Sequence, residues 1–417
     1  MRSSKLPITL ALALLCGCGG GASSGPTCPS VNQASTPVNG GSLPGQVGSN
    51  VMILTVNGST CGGDNSYVNK PCVTVTICPP GSSSGCQTIN DILLDTGSYG
   101  LRVFKTILNA PLAASFTPVT SGGNPVAECV AYADGTADWG PVQKADVVLG
   151  GEPNVTVPIQ IIDSTFAGAT ANCSGTLDTN PSEAGFNGIL GVGLFAQDCG
   201  DGCTQFSDNG IYFSCSGSSC TGASVSLANQ VANPVTSLPS DNNGVILEFP
   251  SISLGGVASV NGYLVLGIGT KPNNQPSGVT TFAANQSGNF STCEEGHTFA
   301  DSFIDSGSNA LYFSAPVTGE FPDCGGGNAG FYCPVSSKDL TANTLGTSGS
   351  PASSVAFTIG NVNAFDNANQ VFIELAGDMS DGGASFDWGL PFFLGRNVYV
   401  GYDQTTSSLG TGPYWSY

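Results

Sequence analysis

Histidine is almost missing: the 417-residue chain holds one, His297. Ser-His-Asp and Cys-His chemistries need an imidazole base beside their nucleophile. His297 stands in Cys293-Glu-Glu-Gly-His297 with no nucleophile motif near it, and reads as a surface or packing residue. Basic residues are nearly as scarce, nine Lys+Arg against 29 Asp+Glu, for a formal charge of −20. That balance excludes nucleic acid as a partner, since phosphate binding needs a basic face. Charged residues make up only 9% of the chain, so the surface must be built largely from Ser, Thr, Asn and Gly. No C-x-x-C pair occurs, and with a single histidine the usual zinc-ligand spacings are absent, so no metal is expected. No G-x-x-x-x-G-K-[ST] phosphate loop is present. Apolar stripes of period 3.6 are missing too, which predicts few and short helices. Beyond the first residues, no apolar run is long enough to span a bilayer.

The chain opens with basic Arg2 and Lys5, then an apolar run from Pro7 to Leu15 too short for a stable membrane span. Leu15-Cys16-Gly17-Cys18 follows and resembles a bacterial lipobox, with cleavage before Cys18 and the lipid on Cys18. A plain secretory signal is the alternative; the cysteine directly after the apolar run favours the lipobox. Residues 18–49, rich in Gly, Ser and Pro, read as a flexible tether. Gly19 stands where an Asp would suggest retention in the inner membrane, so the expected location is the bacterial envelope, on the outer membrane. Of sixteen cysteines, Cys16 leaves with the leader and Cys18 takes the lipid, leaving an even fourteen. In an exported chain these read as disulfides, and Cys199/Cys203, Cys215/Cys220 and Cys324/Cys333 could each close a small loop.

The rest has an all-β pattern. Short runs rich in Val, Ile, Thr and Phe, at 51–56, 73–78, 92–94, 145–149, 155–162, 245–249 and 263–268, are separated by Gly, Pro, Asn and Ser clusters. One arrangement occurs twice. An apolar strand runs into an acidic tight turn and out into another apolar strand, at Asp95-Thr96-Gly97-Ser98 and at Asp305-Ser306-Gly307-Ser308. The aspartates are 210 positions apart, one in each half. Gly97 and Gly307 allow a tight turn and bring backbone N–H groups close to a carboxylate. Thr96 and Ser306 offer hydroxyls that can bond across to the opposite turn. Ser98 and Ser308 can bond the outer carboxylate oxygens. Two such turns face to face would hold two carboxylates in contact, and like charges that close cannot both ionise. The pair would keep one proton, giving a base to activate water and an acid to protonate a carbonyl oxygen. The competing reading is a pair of Asx turns, each Asp bonding its own backbone.

With these turns the chain resembles the pepsin-like aspartic peptidases over most of residues 50–417. Cys129-Val-Ala-Tyr132-Ala-Asp-Gly135 looks like that family's flap hairpin, Phe186-Asn-Gly188-Ile-Leu-Gly191 like the segment buttressing the first aspartate, and Gly262-Tyr-Leu-Val-Leu-Gly267 like the opening of the second lobe. The resemblance implies a two-lobed double β-barrel with a cleft between lobes, the first lobe at 50–245 and the second at 246–417. It implies Asp95 and Asp305 as catalytic residues and Tyr132 as the flap tyrosine. A peptide or protein would be the substrate, with no cofactor and a monomeric enzyme meeting the membrane only through its lipid. Two departures stand out. The second buttress reads as Trp388-Gly-Leu-Pro391, where a proline removes a donor and fixes φ. Tyr99 takes the place of a small polar residue and would narrow the cleft. Arg396 reads as the partner of a carboxylate. The tail, Asp387 to Arg396, resembles an uncharacterised family of bacterial lipoproteins. A pepsin-like chain that keeps its cleft and loses catalysis, as a surface binding or inhibitor-like lipoprotein, is the rival from another class.

Overall fold

The computed structural model describes residues 46–63, 67–315 and 319–417. Cys18, the leader and most of the expected tether lie outside the described residues. The last four tether positions do not behave as a tether. Gln46 donates to the Glu248 carboxylate at 3.0 Å, and Ser49 Oγ to Glu152 Oε1 at 2.7 Å, so the chain joins the fold from Gln46 onward.

The described chain is all-β. Its longest helix is the five residues of Asp201–Gln205. Six strands of the first half close a barrel. Pro71–Cys78, Gln87–Asp95, Gly188–Val192, Tyr99–Phe104, Val155–Ile162 and Thr136–Val148 pair in that order, and the last pairs back onto the first. The barrel interior is a buried stack of Val73, Val75, Ile77, Leu94, Leu101, Val147 and Ile159, β-branched and aliphatic side chains that suit a pleated buried surface. The second half forms an open half-barrel of seven strands in the order Ala352–Ile359, Lys338–Leu345, Phe290–Glu294, His297–Ile304, Phe386–Trp388, Leu311–Phe313 and Ala376–Gly377. Its core is aromatic, with Phe313 stacked on Phe386 at 4.6 Å and Phe386 on Trp388 at 4.2 Å.

The halves are sewn together at the sheet level. Val51–Val56 pairs along its full length with Val260–Leu266, which also pairs with Gly244–Glu248, and that strand pairs in turn with Asn397–Gly401. A division at residues 245/246 therefore cuts through the middle of a strand.

One local arrangement is built twice. Gly188–Val192 lies between the Asp95 strand, to which it is parallel, and the strand leaving the Asp95 turn, to which it is antiparallel. Phe386–Trp388 lies in the same way between His297–Ile304, parallel, and Leu311–Phe313, antiparallel. Each aspartate turn is thus the loop between two strands whose gap is filled by a third strand from much later in the chain.

Among the described residues six disulfides join Cys61–Cys72, Cys78–Cys86, Cys129–Cys173, Cys199–Cys203, Cys215–Cys220 and Cys324–Cys333, which includes the three short loops expected from spacing. Cys293 is disulfide-bonded as well. Cys61, Cys72 and Asp91 lie close enough to hold a metal, but the two sulfurs are bonded to each other and Asp91 is paired with Lys70 at 2.8 Å. No described helix is long and apolar enough to cross a membrane.

Candidate active site

Each aspartate arrives at the end of a fully buried strand segment, Ile92 to Leu94 on one side and Phe303 to Ile304 on the other. The following turn then folds onto its own carboxylate. Gly97 N–H donates to Asp95 Oδ1 at 2.7 Å and Ser98 Oγ to Oδ2 at 2.5 Å. Gly307 N–H donates to Asp305 Oδ1 at 2.7 Å and Ser308 Oγ to Oδ2 at 2.9 Å. The two turns repeat each other bond for bond.

They also grip each other. Thr96 N–H donates to Ser306 Oγ at 3.1 Å, and Ser306 N–H to Thr96 Oγ1 at 2.9 Å. Thr96 Oγ1 passes its own proton to the carbonyl of Ile304 at 2.9 Å, and Ser306 Oγ to that of Leu94 at 2.7 Å. All four bonds cross between the halves, and both hydroxyls donate and accept. Isolated Asx turns would show the bonds from each Asp to its own backbone but not this exchange.

The result is carboxyl groups in contact. A β-carbon on Gly97 would lie 2.7 and 2.8 Å from the Asp305 oxygens. One on Gly307 would lie 2.8 Å from Asp95 Oδ1 and 3.1 Å from Asp305 Oδ1, so both groups crowd one point. Glycine at these positions is a requirement of space. Burial, the charge of Asp95 and the charge of Asp387, in that order, push the Asp305 carboxyl well above the usual carboxylate range. A hydrogen bond to Asp95 pushes it the same way.

Asp387 was not among the candidates from sequence. It is fully buried, and neither of its oxygens has a hydrogen bond among the described residues. It sits opposite Phe303 in the parallel pairing, one residue before Trp388, whose carbonyl accepts Asp305 N–H at 3.2 Å. Ser308 is its polar neighbour, but the Ser308 proton goes to Asp305. Burial raises the Asp387 pKa well above normal, and the charge of Asp95 adds to it. Among the described residues no cation balances this third carboxyl; the titratable groups facing it are Asp305, Asp95 and the Tyr312 phenol, all acids. The only signal in the sequence is an aspartate inside an apolar run, Phe386-Asp387-Trp388.

The second buttress is not where sequence placed it. By strand register it is Phe386-Asp387-Trp388-Gly389, which matches Gly188-Ile189-Leu190-Gly191. Gly389 abuts the backbone of Ser308 and Ala310 as Gly191 abuts that of Ser98 and Tyr99. Pro391 falls beyond it, in the first turn of the helix Leu390–Phe393, where a missing N–H costs nothing. The proline leaves the geometry behind Asp305 intact.

Tyr132, expected as a flap residue, stands in the turn of a hairpin between Asn124–Ala131 and Thr136–Val148. Its ring, however, belongs to a buried cluster with Tyr67, Leu93, Phe104, Phe186 and Ile189. Its hydroxyl donates to Asp138 Oδ2 at 2.8 Å. Tyr67, a second residue that sequence missed, links this cluster to the site by donating to the Gly307 carbonyl at 2.6 Å. Tyr99 is buried against Phe195, with ring centroids 5.4 Å apart, and lies in the field of both Asp95 and Asp305, which with burial raises its pKa. Arg102, three residues on, is wholly buried and bonds Glu128 at 2.8 Å and Asp198 at 3.0 Å. Among the described residues Arg396 has no carboxylate partner: it donates to the Phe392 carbonyl at 2.6 Å and lies over the Phe392 ring.

No curated protein matches the chain. Residues 46–417 match the model of a family described as protein of unknown function (DUF3443), a span that takes in both aspartate turns, both inserted strands and Asp387. The chain belongs to that family, DUF3443.

Proposed function

We propose that the chain is an aspartic endopeptidase of pepsin-like, two-lobed architecture that hydrolyses peptide bonds with water activated between Asp95 and Asp305. The observation that carries this reading is the reciprocal exchange between Thr96 and Ser306, which holds two carboxyl groups at one point, where burial and the charge of Asp95 push the Asp305 carboxyl well up. Asp95 takes a proton from water as the oxygen attacks the peptide carbonyl carbon. Asp305 gives its proton to the carbonyl oxygen, and a tetrahedral diol forms. The diol breaks down as Asp95 gives the proton it took to the leaving nitrogen, Asp305 takes one back from a diol hydroxyl and the C–N bond breaks, with no covalent intermediate. The substrate is a peptide or protein lying between the two halves, and no cofactor enters the reaction.

Denatured casein between about pH 3 and 7 is the test, with Asp95→Asn and Asp305→Asn beside the parent. Loss of a general acid or base lowers the rate by at least about a hundredfold. Cleavage blocked by a statine-type inhibitor and absent from both variants supports the reading; full activity in both variants removes it.

A second reading has one observation behind it. Both carboxyl side chains are fully buried, with no exposed surface. A substrate needs this arrangement to open, whereas a binding lipoprotein that has lost catalysis does not. Saturable inhibitor binding without cleavage would favour the binder.

The envelope location rests on Leu15-Cys16-Gly17-Cys18. Cys18→Ser should lose labelling by radioactive palmitate and leave the membrane fraction; a labelled variant would exclude Cys18 as the lipid site.

A further inference from the structure

Behind the second aspartate turn lies a cavity of about 330 Å³, at the lower end of the range used for small ligands. Its walls are apolar: Leu254, Leu311, Leu340, Val355, Trp388 and Phe392 line it. Arg396 lines it as well, and this residue has no ion-pair partner among the described residues. One guanidinium nitrogen donates to the Phe392 carbonyl, and the Arg396 Cζ stands 4.6 Å from the centroid of the Phe392 ring. Neither contact cancels a charge. Burial pulls the Arg396 pKa down to about 10, and the one group acting against this is the Tyr417 phenol. Arg396 is half-buried, and a cation drawn partly out of water against apolar walls is costly unless an anion joins it. The acid on the lining, Asp339, is exposed at the rim and takes a hydrogen bond from Thr358 Oγ1 at 2.8 Å.

We propose that this cavity binds a medium-chain alkyl carboxylate, the carboxylate on Arg396 and the chain against the aliphatic and Trp388 walls. A guanidinium fork matches a carboxylate in shape and makes charge-assisted hydrogen bonds to it. The walls offer a longer ligand little hydrogen bonding along its length, which suits an alkyl chain better than a peptide.

The test titrates the full chain with decanoate at neutral pH, below its micelle concentration, by calorimetry and by Trp fluorescence. Decanol has the same tail without the charge, and butyrate the same charge without the tail. Decanoate should bind saturably at one site, with decanol and butyrate at least about tenfold weaker. Arg396→Met should weaken decanoate by a similar factor and leave decanol unchanged. Leu340→Trp, which fills the cavity and spares the arginine, should weaken both. Equal binding of decanoate and decanol by the parent protein overturns the role of Arg396. Absence of saturable decanoate binding overturns the site, and both results come from the parent protein whether or not the variants fold.

Discussion

Asp387 occupies in the second half the strand position that Ile189 occupies in the first. Ile189 packs in a hydrophobic cluster, whereas Asp387 is a buried carboxyl with no hydrogen bond among the described residues. A carboxyl whose folded pKa is raised binds its proton more tightly when folded. Its contribution to stability is whole below the unfolded pKa of about 4 and drains away as pH rises through the folded value. Asp387→Asn is neutral at every pH and escapes that loss. The variant should melt near the parent at about pH 4 and above it at about pH 8. Melting below the parent at pH 8 would mean that the ionised form is wanted there. At this scale the two acidic turns were legible because they repeat a four-residue pattern. Asp387 was not, because one aspartate in an apolar run has no pattern. Pro391 misled because the alignment was fixed on Trp388, whereas the residue that must be small is Gly389, pressed against the turn.

The lock between the turns belongs to elements. Thr96→Val strips the Ser306 N–H of its acceptor inside a buried interface, at a cost of about 1–3 kcal/mol. Ser306→Ala does the same to Thr96 N–H. Because the two changes break one network, urea melts should show the double variant losing less than the sum, with a coupling of about 0.5–3 kcal/mol. Additive losses would deny that the hydroxyls act as one device. Strands could be read from runs of Val and Ile bounded by turn residues. Barrel closure could not, since it depends on Gly188–Val192 inserting between strands that precede it by nearly a hundred residues. Residue periodicity carries no record of a partner so distant, and the same blindness placed a lobe boundary inside Gly244–Glu248.

For the whole molecule, acid groups outnumber bases and several are buried. Burial, with neighbouring acids adding to it, lifts the Asp138 pKa to about 6, that of Glu294 to about 7 and that of Asp178 to about 8. Asp198, Asp305 and Asp387 move the same way. Asp163 is lowered: its hydrogen bond to Lys105 leads the effects that overcome burial. The balance is a fold that loses stability as pH climbs from about 4 through 8. Calorimetry should find a melting temperature at least about 3 °C higher at pH 5 than at pH 8; a higher value at pH 8 would contradict the burial of these acids. The scarcity of bases was plain in the composition, but which acids are buried was not, since that depends on strand register.

The acidic pair also has a consequence in time. Its members are drawn from opposite halves, and each rests on a strand delivered well after it, Gly188–Val192 for Asp95 and Phe386–Trp388 for Asp305. Even the opening strand Val51–Val56 waits for Val260–Leu266. Under the proposed activity and export, a chain threading across the membrane would carry two inert fragments of a centre, and its substrates would be safe from it until nearly the whole polypeptide had crossed.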